Sequence, residues 1–66
     1  MKTKEIRRTL EVGGETVAVT ALVMPGGPCV RVELGQLILL MLRDDAMELS
    51  EAIEYAADDA RELADP

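Results

Sequence analysis

Residues 35–49 read GQLILLMLRDDAMEL, and the fold turns on how this stretch is divided. Leu37–Leu42 is apolar on both faces, and leucine and methionine favour helix over strand. Two divisions are open. In the first, Gly35-Gln36 is a two-residue hairpin turn and Leu37–Leu42 is a central fourth strand, covered on both sides. In the second, a helix starts near Gly35 and runs for thirty residues. The strand reading is preferred, because Asp45 followed by Glu48 three residues later makes a capping-box-like start. That places the helix boundary after the apolar run.

Upstream, the pattern has the two-residue period of β-strands. Ile6, Leu10 and Val12 share one face of a strand over 5–12, interrupted by Arg8. Val17, Val19, Ala21 and Val23 share one face of a second strand over 16–24, and Gly13-Gly14 between them suits a tight hairpin. Pro25-Gly26-Gly27-Pro28 is a strong break. A third strand over 29–34 turns Val30, Val32 and Leu34 inward, with Arg31 and Glu33 outward. Downstream, a helix over 45–64 carries one broad apolar stripe that includes Leu49, Ile53, Ala56, Ala60 and Leu63. The prediction is a single α+β domain over residues 1–66. It has a small antiparallel sheet of three or four strands and one C-terminal amphipathic helix packed on one face. A single helix covers one sheet face only, so Ala18, Leu22, Met24 and half of Leu37–Leu42 are left seeking a partner.

Sixty-six residues stand near the lower limit for an unstapled core, and 48% of them are hydrophobic. With no Trp or Phe, that core consists of aliphatic side chains and methionine, and self-association would help it. Cys29 is the only cysteine, which excludes an internal disulfide and fits a reducing compartment. The N-terminus has no signal-peptide pattern, and Leu37–Leu42 is too short to span a bilayer. A soluble protein of a bacterial cytoplasm is expected, with no membrane partner.

Catalytic chemistry finds little to work with. There is no histidine, and Ser50 is the only serine, so the usual base is missing and nothing is at hand to activate Ser50 as a nucleophile. Cys29 reads as a buried structural thiol. Asp44-Asp45 and Asp58-Asp59 lack EF-hand spacing, and adjacent helical acids diverge by about 100°. The glycine pairs lack the lysine and following helix of a phosphate cradle. A non-enzyme with no cofactor and no metal is expected.

What stands out is charge. Residues 1–43 hold six basic and four acidic side chains, whereas residues 44–66 hold nine acids and only Arg61. On a helical wheel Glu48, Glu51, Glu54, Asp58, Asp59 and Glu62 fall within about 140°, with Tyr55 at the centre of the arc, opposite the apolar stripe. Ordinary solvated helix faces mix signs, because opposite charges four residues apart stabilise a helix. Here the neighbours 48/51, 51/54, 54/58, 58/62 and 59/62 are all like-charged. Glu48 to Glu62 spans about 21 Å, or one charge per roughly 3.5 Å, close to the roughly 3.4 Å of one B-DNA strand. These seven residues are the candidate partner-binding set, with Tyr55 as an interface anchor.

A short acidic chain with this helix, Asp44–Asp65, resembles the small phage-encoded anti-CRISPR proteins of the DNA-mimicking type. The resemblance is one of type and covers a third of the chain. It implies an inhibitor that binds a basic nucleic-acid-binding protein or complex, such as a CRISPR effector, and does not bind nucleic acid itself. Lys2, Lys4, Arg7 and Arg8 depart from a uniformly acidic mimic and leave room for a second contact. The alternative is a non-catalytic dimeric assembly or antitoxin-like module that uses the apolar face of the sheet. Monomer and homodimer both remain open.

Overall fold

The computed structural model describes residues 4–65, so Lys2 of the basic group lies outside the described residues. Four strands and a helix follow in chain order: β1 (Glu5–Val12), β2 (Glu15–Met24), β3 (Gly27–Leu34), β4 (Leu37–Leu42) and α1 (Arg43–Ala64). The strands form one antiparallel sheet in the order β1-β2-β3-β4. Two-residue connections allow nothing else, since they only join antiparallel neighbours. The fold is α+β.

Turn chemistry explains the meander. Gly13 and Gly14 both have positive φ, at 60° and 83°, which is the type I′ geometry whose twist matches the flanking strands. Gly35 sits at 59° and Gln36 does not, the pattern of a type II′ turn. The break at residues 25–28 is shorter than the sequence predicts. Pro25-Gly26 alone makes the turn, and β3 already begins at Gly27. Pro28 is tolerated there because it stands near the start of the strand, beyond the last β3–β4 pair, Cys29 with Leu42.

Leu37–Leu42 is a strand, but two details of the expectation need correction. The helix does not start at an Asp45 cap. It starts at Arg43, directly after the strand, with Leu42 in extended conformation at the cap position and no side-chain cap bond. Asp44 and Asp45 occupy the first turn instead, where carboxylates face the positive end of the helix dipole. Nor is β4 central. It is an edge of the sheet.

Register sorts the sheet into two unlike faces. Even-numbered residues of β1 and β3 share one face with odd-numbered residues of β2 and β4. Apart from Arg8 and Glu15, that face is apolar. On the opposite face Thr20 lies in register between Arg7 and Arg31. The Arg31 guanidinium bridges Glu33 at 3.1 Å and Glu5 at 3.8 Å. Beneath these long side chains Thr20 is fully buried, with Ala18 and Cys29 beside it. The Cys29 thiol donates to the Gly27 carbonyl oxygen at 3.4 Å.

The helix stands over the apolar face at β3 and β4, yet none of its residues is buried. Among the described residues, the three buried ones all lie on the other face, under the arginines. Sheet and helix therefore do not close a core. The chain exposes 5884 Å², whereas a compact chain of this mass exposes about 4,100 Å². Its radius of gyration is 14.6 Å against about 11 Å for a compact domain of this length. The molecule is drawn out to 56 × 26 × 17 Å.

Candidate protein-binding face

The helix α1 owes its stability to composition, since alanine, leucine, glutamate and arginine fill most of its positions. Its 22 residues make a rod of about 33 Å. Glu48, Glu51, Glu54, Tyr55, Asp58, Asp59 and Glu62 all lie on this rod and all are exposed. The Tyr55 hydroxyl donates to Glu51 Oε1 at 3.2 Å, one turn back. That bond steers the ring along the acidic arc.

The carboxylates are electrostatically uncompensated. Among the described residues the ion pairs are Arg31 with Glu5, Arg31 with Glu33, and Arg43 with Asp44 at 3.3 Å. None involves the six candidate acids, and Arg7 and Arg8 do not reach them. Arg61, three residues from Asp58 on the same helix, makes no pair either. The charge density therefore faces solvent unneutralised.

The arc is not wholly turned away from the sheet, as the wheel predicts. Glu51, Glu54 and Tyr55 border an open cleft of about 620 Å³, together with Val19, Val30, Arg43, Met47 and Ser50. Leu49 and Ile53 border a second, apolar cleft of about 460 Å³ that includes Val32, Leu39 and Met41. The reason is local. With no residue between β4 and α1, the junction sets the rotation of the helix, and the apolar stripe is not centred on the sheet. Glu48, Asp58, Asp59 and Glu62 border neither cleft, so the two ends of the arc are freer than its middle.

Arg43 escapes a reading of the sequence. It is the first helical residue and borders the same cleft as Glu51 and Glu54. Its only signal is its place between an apolar run and two aspartates, which any surface arginine shares. Among the described residues no three His, Cys, Asp or Glu side chains converge to hold a metal ion. No described helix is long and apolar enough to cross a membrane. What the site offers is a shaped negative surface with one aromatic in it.

In comparisons with known proteins, the chain matches no family model, no curated protein and no solved structure.

Proposed function

We propose that this chain is a stoichiometric protein inhibitor of the anti-CRISPR type. Its helix α1 occupies a basic groove that otherwise holds nucleic acid. The observation that supports this reading is the set of six exposed carboxylates along α1 with no ion-pair partner among the described residues. A helix holds the backbone that carries these charges at fixed intervals, so little backbone ordering entropy is lost when a groove of lysines and arginines closes on them. Tyr55, 62% exposed and tethered to Glu51, supplies the large apolar contact that such charged interfaces need at their centre.

The test is displacement of a labelled DNA duplex from a purified CRISPR effector complex, followed by fluorescence anisotropy. Wild-type protein displaces the duplex, and its potency falls steeply as salt rises. Reversing two charges, Glu51→Lys with Asp58→Lys, weakens displacement by about tenfold or more while the far-UV circular dichroism stays unchanged. Undiminished potency of the double variant refutes the reading.

A further inference from the structure

The structure contains an edge strand built like an interior one. β4 is LILLML, with neither charge nor proline, and it is apolar on both faces. Strands of that composition are normally covered on both sides and paired along both edges. Here five of its six residues are exposed, Ile38 at 59%. The other edge, β1, is guarded in the usual way by Glu5, Arg7, Arg8 and Glu11. One edge of the sheet is thus protected against pairing, and the other is open to it.

We infer that a second copy of this chain pairs with β4 edge to edge, antiparallel across a two-fold axis, to make one continuous eight-stranded sheet. An edge-to-edge contact of β4 with itself is self-complementary, as a two-fold interface requires. The chain as a whole has surface to spare for association: it exposes roughly 1,800 Å² more than a compact chain of its mass, and obligate dimers remove about 1,000–2,500 Å² from each partner. The helix leaves that edge free. Leu49 and Ile53 share with Leu39 and Met41 of β4 a cleft that also reaches Val17 of β2 and Leu10 of β1, so the apolar stripe lies across the sheet and does not cap the outer side of β4. The cleft bordered by Glu51 and Tyr55 of the acidic arc contains no β4 residue, so this inference stands whether or not α1 blocks a nucleic-acid-binding protein.

The experiment uses the unmodified full chain. Light scattering at micromolar concentration gives the mass of two chains, and the thermal midpoint rises with protein concentration. Amide exchange by NMR then locates the contact. In a lone sheet only alternate β4 amides, those bonded to β3, are protected. In the paired sheet the outward amides are slowed as well, by about a hundredfold or more for bonds that open only on dissociation. Ile38→Lys is the matching variant. Its cross-strand neighbour is Glu33, so the lysine suits a single chain, but it guards the edge and weakens dimerisation about tenfold or more. A folded single-chain mass overturns the inference. So does a dimer that leaves the outward β4 amides unprotected, and so does a chain that orders only when a different protein is added.

Discussion

Removing charge from α1 should make the protein more stable and less able to bind. The informative variant is Glu51→Gln with Glu54→Gln and Asp58→Asn, which eliminates four like-charged neighbour pairs: 48/51, 51/54, 54/58 and 58/62. None of these acids has an ion-pair partner among the described residues, so the substitutions remove repulsion and break no ion pair, and they give up only the weak attraction of Asp58 for Arg61 three residues on. The Tyr55 hydrogen bond to Glu51 survives the first of them, because the side-chain amide oxygen that replaces the carboxylate still accepts. At roughly 0.2–0.5 kcal/mol per pair, the gain is about 1–2 kcal/mol at low salt. For a chain of 66 residues the unfolding entropy is about 0.14 kcal/mol/K, so each kcal/mol raises the midpoint by about 7 °C. Circular-dichroism melts at one fixed protein concentration should therefore show a rise of about 7–14 °C at about 10 mM salt. In about 1 M salt the Debye length falls to about 3 Å, shorter than the roughly 5–6 Å between the side-chain origins, and the gain should largely vanish. Under the proposed function, the same variant should displace DNA from a CRISPR effector less well than the wild type. A loss of stability would show that these carboxylates are held by compensating contacts, and an equal gain at both salt concentrations would show that the gain does not come from relieved repulsion. The account of an uncompensated arc would then be wrong.

Two further substitutions test the sheet. Thr20→Val should stabilise by about 1–3 kcal/mol, because the Thr20 hydroxyl is fully buried without a hydrogen-bond partner and valine keeps the shape without that cost. Thr20→Ser, which keeps the hydroxyl and loses the methyl, should instead cost about 1 kcal/mol by the same melts. Gly35→Ala should cost about 1–2 kcal/mol, since its φ of 59° is unfavourable to a Cβ although space around it is open. Gly35→Asn should recover at least half of that loss, because asparagine tolerates this conformation through its own local hydrogen bonds. Equal losses for alanine and asparagine would place the cause outside the backbone.

Local chemistry is the readable part of this sequence. Gly13-Gly14 and Gly35-Gln36 announce their turns because positive φ leaves few residue choices, and strand alternation groups the residues of β2 and β3 by face; but Ala18, expected to seek a partner, is already buried, because the side chains around it on its own sheet face cover it. The apolar Leu37–Leu42 is harder. Its composition says that it is covered, and a single chain does not contain the cover, so the sequence points to an interior strand where the fold has an edge. The helix start misleads for a related reason. Asp45 and Glu48 have the spacing of a cap, but β4 hands over to α1 without a loop, and no residue is left to serve as one. Periodicity alone places the seven candidate residues on one helix. Their relation to the sheet is not legible, because the rotation of α1 depends on the backbone at Leu42 and Arg43 and not on where its leucines lie. Thr20 beneath Arg7 and Arg31 is equally hidden, since only the strand register brings those three together.

The missing loop between Leu42 and Arg43 also makes the molecule a lever. A helix fused to a strand takes its heading from that strand, and a rod of about 33 Å converts a change of about 10° in strand twist into a swing of about 6 Å at its tip. Neighbouring strands differ in twist by more than that from one sheet to another. Substitutions in the final hairpin, far from the carboxylates of the arc, would thus re-aim Asp58, Asp59 and Glu62 as a unit. A lineage of such chains could shift from one groove to another by adjusting the hinge end alone, with its charges untouched.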